Sequence, residues 1–164
     1  MTFVAGFKCT DGIVLCADRL ESDGMTKRHR PKIERIAEDS QRGIAWAVAG
    51  TGDVADKFTA TFKGALRLGE FNQADIEQAA EATLALIHRE YPGYLLQVIV
   101  GLWSGPIKQS KTEVAKALIY RGRSDVQCLG VESRYAIAGM DVTLAEFAVC
   151  LWFSQVGTCG LGVG

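Results

Sequence analysis

A threonine directly behind the initiator Met, an acid at the end of an apolar run and a lysine opening the next run can build a nucleophile that needs no histidine. These residues are Thr2, Asp18 and Lys32. A threonine hydroxyl is a weak nucleophile until a base takes its proton, and a threonine that stands first in the chain carries that base as its own α-amine. A free α-amine titrates at roughly 7.7–8.0, so much of it is neutral and proton-accepting near neutral pH. A lysine ammonium nearby lowers that value further and favours the neutral amine. A carboxylate beside the lysine keeps it charged and in place. The chemistry requires removal of Met1, because an amide nitrogen cannot act as the base.

Strands and turns must bring these groups together. Residues 3–9 alternate loosely and read as a strand. Thr10-Asp11-Gly12 is turn chemistry, since Asp-Gly suits a tight hairpin. Residues 13–17 form a short apolar run, the pattern of a strand covered on both faces. Residues 21–30 are polar and aperiodic and read as a loop, with a basic cluster over residues 27–32. Strands follow over residues 32–37 and 44–48. Gly50-Thr51-Gly52-Asp53 then precedes a helical pattern, and the full dinucleotide glycine spacing is absent. The glycines there suit a close backbone approach, with N–H groups that could hold an oxyanion.

Two amphipathic helices come next. Val54, Phe58, Phe62, Ala65 and Leu66 recur at helical spacing, and Gly69 can end that helix. Asn72 is an N-cap candidate for the second, whose stripe is Ile76, Ala79, Ala80, Thr83, Leu84 and Ile87, stopped at Tyr91-Pro92-Gly93. Residues 95–103 read as a central strand and residues 114–120 as another, with a turn over residues 121–124. Residues 126–129 and 135–138 are short strand candidates. A third helical pattern runs through Leu144, Phe147, Ala148, Leu151 and Trp152. Strands, two helices, strands and a helix make a mixed α and β domain with helices packed on a sheet.

The stretch from Thr2 through Asp11-Gly12-Ile13-Val14-Leu15 to Ala17-Asp18, then Lys32-Ile33 with Ile36 and Ala49-Gly50, resembles the start of the proteasome β-subunit family in its bacterial form. These are threonine peptidases among the N-terminal-nucleophile hydrolases. The resemblance implies Thr2 as nucleophile, Asp18 and Lys32 as its charged partners, and the Gly50 N–H as oxyanion donor. It implies an α+β fold, a four-layer αββα sandwich incomplete at the C-terminus. Also implied are a peptide or unfolded-protein substrate, a homo-oligomeric ring with an unfoldase as possible partner, a cytoplasmic location, and no cofactor or metal. At the position where the family carries a serine supporting the nucleophile stands Met140, which cannot hydrogen-bond in that way; Asp141, one residue on, is the available substitute. The family continues beyond the equivalent of Gly164, so the expectation is a C-terminally truncated member.

Composition narrows the alternatives. With 164 residues, 48% hydrophobic and 23% charged, the chain can bury a sizeable single core. We expect one domain over residues 1–156 and a disordered glycine-rich tail over residues 157–164. A net charge of −1 supplies no field to recruit nucleic acid or an anionic membrane. Its apolar runs fall far short of the roughly 20 residues that span a bilayer. Five scattered cysteines without a Cys-x-x-Cys pair read as reduced thiols, and two distant histidines leave little material for a metal site or a Ser-His-Asp triad. The competing functions are a threonine-type endopeptidase, a catalytically degenerate or truncated structural subunit of the same assembly, and an amidohydrolase using the same nucleophile on a small amide.

Overall fold

The computed structural model describes residues 3–9, 12–22, 27–37, 42–66, 72–104, 116–132 and 134–139. Thr2, Met140, Asp141, the third helical pattern and the tail over residues 157–164 lie outside these residues. A five-stranded antiparallel sheet forms the centre. Its strands are β5 (Ile33–Ala37), β6 (Arg42–Ala49), β7 (Gln97–Ser104), β8 (Lys116–Arg123) and β9 (Cys128–Glu132), in that spatial order. A second antiparallel sheet places β1 (Phe3–Lys8) between β2 (Ile13–Ala17) and β10 (Tyr135–Gly139). Two three-residue strands, β3 (Leu20–Ser22) and β4 (Lys27–His29), pair as a separate ribbon.

The two faces of the central sheet do different work, and residue size tells them apart. Ile44, Trp46 and Val48 of β6 point to one face with Val98, Val100 and Tyr120, while Ala47 and Ala49 point to the other with Ile99 and Ile119. On the first face lie the helices α1 (Gly52–Leu66) and α2 (Gln73–Glu90). They contribute Val54, Phe58, Phe62 and Leu66, then Ile76, Ala80, Leu84 and Ile87, the stripes the 3.6-residue period predicts. Trp46 meets Phe62 edge-on, with centroids 5.2 Å apart. The Asn72 side chain caps α2 by accepting the Asp75 N–H at 2.9 Å.

The other face, with Ala47 and Ala49 beside Ile99 and Ile119, is covered by the second sheet. Val4, Ala136 and Ala138 pack there with Ile13, Leu15 and Ala17. Gly6 of β1 is where the sheets come closest: a Cβ added there would stand 2.9 Å from both Ile99 Cγ2 and Leu15 Cδ2. Described residues thus form a helical layer, a five-stranded sheet and a three-stranded sheet.

Several local expectations change. Cys9 N–H donates to the Gly12 carbonyl at 2.9 Å, carrying the β1–β2 register one pair past Lys8 and Ile13, so Gly12 stands opposite Cys9. Val14 and Cys16 on β2 are exposed, because β2 is an edge strand that buries only its Ile13, Leu15, Ala17 side among the described residues. The polar stretch read as a loop contains β3 and β4, held by main-chain pairing that needs no apolar alternation. β8 continues through Arg121-Gly122-Arg123, where a turn was expected, and the turn falls at residues 124–127.

Candidate functional site

The site lies where β1 begins, beside the exit of β2. Asp18 continues the β1–β2 pairing one residue past the strand: its N–H donates to the Phe3 carbonyl at 3.0 Å. Its side chain then turns back, and Oδ1 accepts the Phe3 N–H at 2.7 Å. That N–H belongs to the peptide group joining Thr2 to Phe3, a planar unit. Asp18 therefore holds the start of β1 through both the N–H and the carbonyl of Phe3.

The second oxygen of the same carboxylate, Oδ2, accepts the Lys32 ammonium at 3.0 Å. The Lys32 side chain is only 10% exposed and that of Asp18 30%, so this pair is largely withdrawn from water. The sequence brings lysine to acid by a closed excursion. After Asp18 the chain runs out along β3, returns along β4, and is fastened where the Arg30 N–H donates to the Arg19 carbonyl at 2.8 Å. Lys32 follows two residues later and reaches back to Asp18. Pro31, with its fixed φ, stiffens that step.

Gly50 ends β6, immediately before α1. Together with Lys32 it lines a cavity of about 280 Å³, whose other walls include Arg30, Glu34, Asp56 and Thr59. Arg30 forms an ion pair with Asp56 of α1, and Glu34 pairs with Lys63 at 3.5 Å. A Cβ at Gly50 would come to 3.3 Å from the Leu95 carbonyl oxygen, so the turn is packed closely against the chain entering β7. That chain is held in turn by Ser124, which is fully buried and whose Oγ accepts the Leu96 N–H at 3.0 Å.

Asp18 thus joins the Phe3 N–H to Lys32, and Lys32 shares a cavity wall with Gly50. Thr2 and Asp141 are outside the described residues. Sequence reading missed Gln97, whose side-chain amide bonds both the N–H and the carbonyl of Gly139. A signal was available, since Gln97 is an amide inside an otherwise apolar strand. Among the described residues no group of three or more His, Cys, Asp and Glu side chains could hold a metal ion, and no helix is long and apolar enough to cross a membrane.

A helical layer on two stacked antiparallel sheets is an α+β arrangement. Similar solved structures are those of Anbu. A mutant Anbu from Hyphomicrobium sp. strain MC1 superposes with a TM-score of 0.70 at 13% identity, over 100% of this chain and 78% of that one. Anbu from Yersinia bercovieri, an ancestral beta-subunit, gives 0.67 at 10% identity, over 85% of this chain and 61% of that one. A further Anbu structure from Hyphomicrobium sp. strain MC1 gives 0.64 at 12% identity, over 84% and 60%. The chain thus spans less than two thirds of the length of the latter two. At these identities the likeness establishes the fold alone. No protein-family model and no curated protein matches the chain.

These neighbours correct the expected membership in the bacterial proteasome β-subunit family: the similar structures are Anbu. The residues that suggested the family explain the error. Asp18, Lys32, Gly50 and the two helices mark elements of the fold, and a fold shared at 10–13% identity does not single out one family.

Proposed function

We propose that the chain is an Anbu-like subunit of a proteasome-related peptidase, with Thr2 as N-terminal nucleophile once Met1 is removed. The observation that carries this reading is the two-sided carboxylate of Asp18, which holds the Phe3 N–H on one oxygen and Lys32 on the other. Such an arrangement sets the direction in which Thr2 leaves the strand and keeps an ammonium beside it. The Lys32 charge favours the neutral form of the Thr2 amine. That amine takes the hydroxyl proton as Oγ attacks a peptide carbonyl. The Gly50 N–H stabilises the developing oxyanion, the amine returns the proton to the leaving nitrogen, and water releases the acyl group. The cavity beside Lys32 and Gly50 receives a substrate side chain. The remaining parts of the reading are a single four-layer domain over residues 1–156, Asp141 as support for the amine, cytoplasmic residence, and assembly with further copies into a ring that degrades unfolded chains.

Intact mass before and after treatment with a peptide epoxyketone tests the reading, because that reagent needs a hydroxyl and a free α-amine on one residue. Loss of Met1 followed by a stoichiometric adduct on Thr2 is the expected result. A retained Met1, or a processed Thr2 that takes no adduct, would replace it with a structural subunit that lacks turnover.

A further inference from the structure

Gln97 stands at the junction of the two sheets. Its backbone lies in register with Ala49, the residue before Gly50. Its side chain leaves the central sheet and binds the end of β10: Oε1 accepts the Gly139 N–H at 3.1 Å, and Nε2 donates to the Gly139 carbonyl at 3.4 Å. Gly139 is itself the cross-strand partner of Phe3. Gly139 is also the only described glycine with a positive φ, 153°, a conformation that side-chain-bearing residues rarely adopt. One side-chain amide thus stands in for a strand neighbour and satisfies both polar groups of a single buried residue.

We infer that Gln97 is a positioning residue, the link that sets the nucleophile's strand at a fixed separation from the Gly50 turn across the inter-sheet gap. Apart from the Asp18–Lys32 ion pair, the two sheets that carry the halves of the site are joined mainly by apolar packing, which resists separation but tolerates sliding. Hydrogen bonds are directional, and the two from Gln97 remove that freedom at the one edge where Phe3 and Gly50 must agree. A side chain that merely filled space would need neither donor nor acceptor. The inference rests on the Thr2 reading for its chemical consequence, but the link itself is a separate fact of the fold.

The experiment uses the full chain and two variants, Gln97→Met, which keeps length and loses both bonds, and Gln97→Glu, which keeps only the acceptor. Inactivation by the epoxyketone is resolved into kinact and KI, and amide exchange is followed at Phe3 and Gly139. In Gln97→Met, kinact should fall roughly tenfold or more, as expected for misplacement of reacting groups, with KI nearly unchanged because the cavity lining is intact. Exchange at both amides should accelerate. Gln97→Glu should lie between the two, and decides the matter if Gln97→Met does not fold. Unchanged kinact, or a parallel loss in kinact and KI, would overturn the inference. If the unaltered chain takes no adduct, the Thr2 reading fails alone; unchanged exchange at Phe3 and Gly139 would then sink the link, and faster exchange would uphold it.

Discussion

Asp18 and Phe3 hold each other in both directions: the Asp18 N–H donates to the Phe3 carbonyl at 3.0 Å, and the Asp18 carboxylate accepts the Phe3 N–H at 2.7 Å. A main-chain bond and a side-chain bond between one pair of residues leave the start of β1 little freedom. The carboxylate's other oxygen is occupied by Lys32, so one side chain controls both the backbone and the local charge.

Changes at Asp18 separate those two roles. Asp18→Asn can still accept the Phe3 N–H but takes a negative charge from beside the Lys32 ammonium, which is 10% exposed. Asp18→Ala removes both. Losing a hydrogen bond to a charged, largely buried group costs about 1–3 kcal/mol, so urea midpoints should fall in the order unaltered chain, Asn, Ala. Epoxyketone labelling should slow by roughly a hundredfold in both variants, because placement and charge are each needed. Full labelling in Asp18→Asn would show that the Lys32 charge needs no holding.

Close approach of the sheets gives a second prediction. Gly6 faces Ile99 and Leu15, and a methyl group there would lie 2.9 Å from each. The atoms it meets are ends of branched side chains already packed between two sheets. Gly6→Ala should therefore cost about 1–3 kcal/mol by overpacking. Adding Ile99→Val should recover part of the loss, which a double-mutant cycle in urea would measure.

The Tyr120 phenol supplies a pH dependence. Burial pushes its pKa up, and the Glu77 carboxylate adds to the shift. Its oxygen makes no hydrogen bond among the described residues, so the carboxylate acts through its charge. In the unfolded chain a tyrosine titrates near about 10. The folded state keeps its proton above that pH while the unfolded state loses it, so this contribution to stability is complete below about pH 10 and declines as pH rises beyond it. Tyr120→Phe should flatten the alkaline limb of the stability profile. Equal limbs for the two proteins would remove Tyr120 as its source.

What was legible in the sequence follows from which forces act locally. Both helices were readable because Val54, Phe58, Phe62 and Leu66, and Ile76 through Ile87, repeat at the helical period and bury that stripe. β6 was readable because its residues 44–48 are all apolar. β3 and β4 were not, since three-residue strands that hold a single apolar residue between them show no alternation and rest on main-chain pairing. The continuation of β8 was hidden because Arg121 and Arg123 look like a turn; Arg121 is satisfied by Glu132 across the sheet at 3.0 Å, and Gly122 between them is buried. Asp18 and Lys32 could be picked out by type and order, and the structure pairs them. Gln97 could not, because its partner lies 42 residues away on another sheet.

Gly50 yields the sharpest contrast between stability and activity. A Cβ there would sit 3.3 Å from the Leu95 carbonyl and 3.5 Å from Leu96 Cα, both main-chain atoms of a segment anchored by buried Ser124. The segment can give by a few tenths of an ångström, so Gly50→Ala should fold, with a loss of about 1 kcal/mol. The same small displacement moves the N–H of a residue that lines the cavity. An oxyanion donor works only at about 2.7–3.1 Å from the developing charge, and losing one costs on the order of 10²–10³ in rate. Gly50→Ala should therefore keep its urea midpoint near that of the unaltered chain while epoxyketone labelling of Thr2 becomes at least roughly tenfold slower. Labelling at the normal rate in a normally stable variant would take the oxyanion role away from Gly50. It would then pass to the N–H groups of the first turn of α1, which begins two residues later at Gly52.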